Sequence, residues 1–83
     1  MELPGQPVTL TAEQIAELNQ KLANLRHDVN NNLALITAAL EVIQYKPHLV
    51  ERMMATVTEQ PPKIVAAVGK FSAEFEKMFG IKR

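Results

Sequence analysis

Apolar residues recur along most of this chain at steps of three and four, the spacing of a helix that buries one stripe. From Ile15 the series runs through Leu18, Leu22, Leu25, Val29, Leu33, Ile36, Leu40 and Ile43. Thr11 is placed as an N-cap, with Gln14 completing a capping box and Leu10 and Ile15 in staple positions, so the spacing predicts a first helix over about 11–45. A helix of that length is not stable by itself and has to lie lengthwise on something. Two steps of four in succession, across Leu25, Val29 and Leu33, form a local stutter that unwinds a coiled-coil seam.

Tyr45-Lys46-Pro47-His48 interrupts the series, and Pro47 suits the first turn of a new helix, where its missing N–H would have been unpaired anyway. A second series follows through Val50, Met54, Val57, Pro61, Ile64, Val68, Phe71, Phe75 and Met78, with Gly80 placed to end it. This predicts a second helix over about 47–79, either kinked near Pro61 or broken into two collinear segments around Gln60 to Pro62. Residues 1–10, with Pro4, Gly5 and Pro7, read as a flexible leader, and 81–83 as a tail. The fold class is therefore all-α, an antiparallel helical hairpin. Such a hairpin leaves one side of each stripe uncovered, and a second copy related by a two-fold axis closes it as a four-helix bundle, so a homodimer is expected.

Composition narrows the ways in which so thin a core can be supplemented. Eighty-three residues form one domain, and without cysteine there are no disulfides or thiolate metal sites. The two histidines, His27 and His48, are far apart and belong to no HExxH pairing, so a structural metal is not expected and oligomerisation remains. Nine basic and nine acidic residues cancel, against a protein that tracks nucleic-acid phosphates. No apolar run approaches a membrane span and no signal-like segment opens the chain, which gives the expectation of a cytoplasmic protein without a membrane partner. A cofactor-holding bundle fits poorly, because the seam reads as aliphatic apart from Pro61, Phe71 and Phe75, and no cofactor is expected in this chain. Met53, Met54 and Phe79 read as core filler by the same logic.

The candidate chemistry lies in Leu25-Arg26-His27-Asp28-Val29-Asn30-Asn31-Asn32-Leu33. Asparagine competes for nearby backbone groups, and three in a row forgo roughly 1–2 kcal/mol of helix propensity relative to alanine. At about 100° per residue, His27 points away from the seam defined by Leu25 and Val29. Around it on that outward face stand Gln20, Ala23, Asn24, Asn30, Asn31, Ala34 and Ala38, small or neutral-polar residues where a solvated helix would carry Lys and Glu. A lone exposed histidine is usually only a surface residue, and His48 in the turn is read that way. His27 differs in having an adjacent acid, costly asparagines and the stutter at the same height.

His27-Asp28-Val29-Asn30-Asn31-Asn32-Leu33 resembles the H-box of two-component sensor histidine kinases: His, an acid, two variable positions, Asn or Thr, often Pro, then Leu. His27, Asp28, Asn31 and Leu33 match, and Asn32 stands where proline is frequent, closest to the HDxNN variant of the motif. The resemblance extends over roughly residues 11–79, since the family's dimerisation and histidine-phosphotransfer domain is a helical hairpin that dimerises into a four-helix bundle. It implies that His27 is the phospho-acceptor, Asp28 its hydrogen-bonding partner or base, and Asn31 the residue that positions water for dephosphorylation of a receiver domain. It further implies that a response-regulator receiver docks on the first helix over Asn24, Asn30, Ala34 and Ala38. An ATP-binding domain is missing, with Gly5, Gly69 and Gly80 the only glycines, so a histidine-kinase catalytic domain or a receiver would have to supply the phosphoryl group in trans. Met1 and the flexible ends favour a small free-standing protein over an excised kinase domain. The rival expectation is a non-catalytic dimeric adaptor that keeps the hairpin without phosphotransfer.

Overall fold

The computed structural model of the chain describes residues 3–81. Helix α1 runs Ala12–Tyr45, a single 3-10 turn covers Pro47–Leu49, and helix α2 runs Val50–Phe79, with no strand among the described residues. The two helices lie against each other as a hairpin 58 × 26 × 12 Å in extent, long and flat.

Local chemistry accounts for where each helix begins and ends. The Thr11 hydroxyl accepts from the Gln14 backbone N–H at 3.1 Å, and the Gln14 side-chain oxygen accepts from the Thr11 N–H at 2.8 Å, a complete capping box. At the other end the Lys46 N–H donates to the Val42 carbonyl at 2.7 Å, and Pro47 opens the turn, where it gives up no bond. Gly80 closes α2 in the left-handed region at φ 67°, and the Ile81 N–H donates back to the Glu76 carbonyl at 2.8 Å.

Helix α2 continues through Pro61 and Pro62 as one element rather than as two segments. Proline carries no N–H, so the Val57 and Thr58 carbonyls lose the donors that would normally reach them from four residues on. Next to this gap Gln60 is 2% exposed; its amide donates to the Thr56 carbonyl at 3.0 Å while its buried oxygen has no partner among the described residues.

The helices meet along one edge of the predicted apolar stripe rather than along its centre. Buried residues are Asn32 (8% exposed) and Ala39 (4%) on α1, with Leu18, Lys21, Leu25, Val29, Ile36 and Ile43 half-buried along the same edge. Leu33 and Leu40, expected in the seam, are 48% and 47% exposed, and Ile15 and Leu22 are exposed too. The hairpin closes most tightly on Asn32 and Ala39, flanked by half-buried Leu18, Leu25, Val29, Ile36 and Ile43, while Ile15, Leu22, Leu33 and Leu40 are turned aside. The seam is also less aliphatic than the sequence suggests. Asn32 and Gln60 lie within it, and the Lys21 ammonium reaches across to Glu74 at 2.6 Å while keeping a 3.7 Å contact with Glu17. The hydrogen bond to Glu74 raises the Lys21 pKa above its ordinary value, and the same bond holds the Glu74 carboxyl below its own.

Helical phase then gives the hairpin two unlike broad sides. From Asn32, which faces inward, Leu33 and Leu40 lie about a quarter turn round in the direction of winding; from inward-facing Gln60, Pro61 and Val68 lie about a quarter turn round in the same sense. Because the helices are antiparallel, equal turns carry both rows to one broad side. Ile15, Leu22, Leu33 and Leu40 thus share it with Val50, Met54, Val68 and Phe75, all exposed. Along α2 the rings Phe71, Phe75 and Phe79 stack in a ladder with centroids 6.0 and 4.6 Å apart. The other broad side is mostly polar, carrying Asp28, Asn31, Lys63 and Lys70, with Leu35 its exposed large apolar residue. Among the described residues no helix is long and apolar enough to cross a membrane.

Candidate functional site

Helix α1 carries His27 on its outer margin, beyond the polar broad side, with a side chain 84% exposed. Its Nδ1 lies 3.7 Å from Oδ1 of Asp28, itself 61% exposed. That distance is an electrostatic contact and is too long for a hydrogen bond, so Asp28 biases the ring without fixing its orientation. With Nδ1 turned toward the carboxylate, Nε2 is the nitrogen free to meet a reactant.

The neighbouring positions divide by helical phase. Asn31, one turn on from His27, is exposed on the polar side, and Asn24, Asn30, Ala34 and Ala38 are all exposed. Asn24 is held by its own helix, its side-chain oxygen accepting from the Gln20 amide at 2.9 Å. Asn32, the third of the asparagines, turns inward instead, 8% exposed, and reaches the surface only at the bottom of a hollow between the helices. Its presence in the row is a packing matter. His48 is exposed in the turn, remote along the chain from His27.

Residues of α2 that the motif does not reach also border this region. Lys63, Ala66, Ala67 and Lys70 share a shallow hollow with Asp28, Asn31 and Asn32 on the polar broad side. The signal for them in the sequence is the seven-residue spacing of Lys63, Lys70 and Lys77, two turns apart on one edge of a helix. Among the described residues no group of three or more His, Asp or Glu side chains is arranged to hold a metal ion.

Comparison with protein-family models, with curated proteins and with solved structures finds no match to this chain.

Proposed function

We propose that the chain is a histidine phosphotransfer and dimerisation module of two-component signalling, with His27 as phospho-acceptor and a receiver domain docking on α1. The observation that carries this reading is an 84% exposed imidazole, one carboxylate beside it on Nδ1 and one amide a turn away, on a helical hairpin of the expected topology. In the forward step Nε2 of His27 attacks phosphorus of an aspartyl phosphate on the receiver; the P–O bond breaks, a P–N bond forms, and the receiver regains its carboxylate. Asp28 stabilises the cationic ring that results, and Asn31 faces the partner from the next turn to orient water when the transfer runs toward hydrolysis. Asn24, Asn30, Ala34 and Ala38 form the low surface on which the receiver rests.

The same reading has a second copy of the chain cover the apolar broad side. A compact monomer of 9.3 kDa exposes about 5,000 Å² by the usual scaling, whereas this hairpin exposes 6456 Å². The excess is about 1,500 Å², ample beside the roughly 800 Å² per partner of a standard interface. A two-fold copy on that side yields a four-helix bundle and leaves His27 outside it.

The 3.7 Å gap between His27 and Asp28 favours a second reading, a dimeric adaptor that keeps the hairpin but not the chemistry. Incubation with a radiolabelled phospho-receiver, or with a histidine-kinase catalytic domain and ATP, separates the two. Phosphotransfer gives acid-labile, base-stable label that disappears in His27→Gln; a variant that labels as well as the parent overturns the assignment.

A further inference from the structure

Lys63 and Lys70 stand on one edge of α2, exposed, and both border the hollow that holds Asp28 and Asn31. Among the described residues neither makes a close ion pair, whereas Lys21 is committed to Glu74. Lys70 and Asp28 also border the adjoining hollow, so a groove continues along the polar side between the helices. Its floor at Ala66 and Ala67 carries nothing larger than a methyl group. Any carboxylate or phosphoryl group brought toward His27 along this side first meets the negative charge of Asp28. Lys63 and Lys70 are the cations lining this hollow that can offset that charge, although the positive charge of Lys70 also acts on Glu74 one turn on.

We propose that this groove seats an acidic protein surface, a partner helix whose carboxylates pair with Lys63 and Lys70. Seven residues of helix span about 10.5 Å, so the complementary carboxylates stand about one heptad apart on a helix lying along α2. The partner thereby touches both helices of the hairpin: α1 presents the reactive ring and α2 selects by charge. This deepens the docking surface proposed above, and rests on that reading only for the nature of the partner.

The test uses the full isotopically labelled chain, titrated with a synthetic helical peptide carrying glutamates one heptad apart and, separately, with its lysine counterpart. The glutamate peptide should shift the amide signals of Lys63, Ala67 and Lys70. Its affinity should fall at least about tenfold in Lys63→Glu/Lys70→Glu, which should bind the lysine peptide instead, and should weaken as salt is added. Should charge reversal disturb the helical circular dichroism, Lys63→Gln/Lys70→Gln carries the test, with an expected loss of about threefold. Unchanged affinity in the variants, shifts that fall elsewhere, or preferential binding to phosphatidylserine vesicles or duplex DNA would each overturn the proposal. His27→Gln should bind the glutamate peptide as the parent does, so a failure of phosphotransfer alone leaves the groove standing.

Discussion

One broad side of the hairpin and its opposite differ in almost every property although the same two helices build both. On the first, Leu33, Leu40, Val68 and Phe75 leave 36–48% of each residue in water, a contiguous apolar surface of the kind monomeric proteins rarely present. On the second, Asp28, Asn31, Lys63 and Lys70 surround a shallow groove floored by alanine. The difference teaches that the self-association and the partner docking proposed above would not compete in so small a protein. A copy seated on the apolar side leaves the polar side open, and His27 lies on the margin of α1 beyond the polar one.

The contrast breaks most readily on the apolar side. On the proposed dimer, the parent should sediment at twice 9.3 kDa and Leu33→Asp/Val68→Asp should be a monomer at micromolar concentration, association weakened at least about a hundredfold; a monomeric parent, or a variant of unchanged mass, would show that this side is not the interface. Leu25→Ala, in the seam between the helices, should lower stability by about 2–3 kcal/mol in urea unfolding, near the lower end of the cost for leucine truncation because Leu25 is only half-buried. Gln60→Leu should raise stability by about 1 kcal/mol, since it removes an unpartnered buried oxygen at nearly constant volume. On the polar side, Asn31→Ala should gain about 0.5 kcal/mol of helix propensity and, under the proposed function, slow dephosphorylation of a receiver.

The smallest effect comes from the Lys21–Glu74 bridge, whose side chains are 29% and 31% exposed and therefore partly screened. The carboxyl of Glu74 sits below its ordinary 4.5, so its contribution is full above that value and fades as pH falls through the lowered one. Lys21 sits above its ordinary 10.5, so its contribution is full below that value and fades as pH rises through the raised one. The melting-temperature difference between the parent and Glu74→Gln should accordingly shrink as the solution is acidified below 4.5.

What the chain discloses in its sequence is mostly what is decided locally. The Thr11–Gln14 box, the turn at Pro47 and the stop at Gly80 each depend on a few adjacent residues, and each is where spacing and turn chemistry put it. Rotation of α1 about its own axis is a tertiary matter. Its stripe contains two rows about 100° apart, one through Asn32 and Ala39 and one through Leu33 and Leu40, and hydropathy selects the greasier row although close approach selects the smaller. The outward direction of His27 survives this rotation because the ring starts nearly opposite both rows. The heptad spacing of Lys63 and Lys70 is visible in the sequence, but a chain with nine charges of each sign gives no overall hint of a basic edge. The H-box likeness rests on about seven residues, a span too short to carry family membership.

Two adjacent prolines inside α2 have a consequence for how that rod opens. In outline it is a single cylinder, but its ladder of amide bonds is interrupted where Pro61 and Pro62 offer no hydrogen to Val57 and Thr58. Each half can therefore fray without pulling directly on the other, and deuterium uptake should report two separate opening events, one for residues 51–58 near the turn and one for residues 64–79 beyond the prolines.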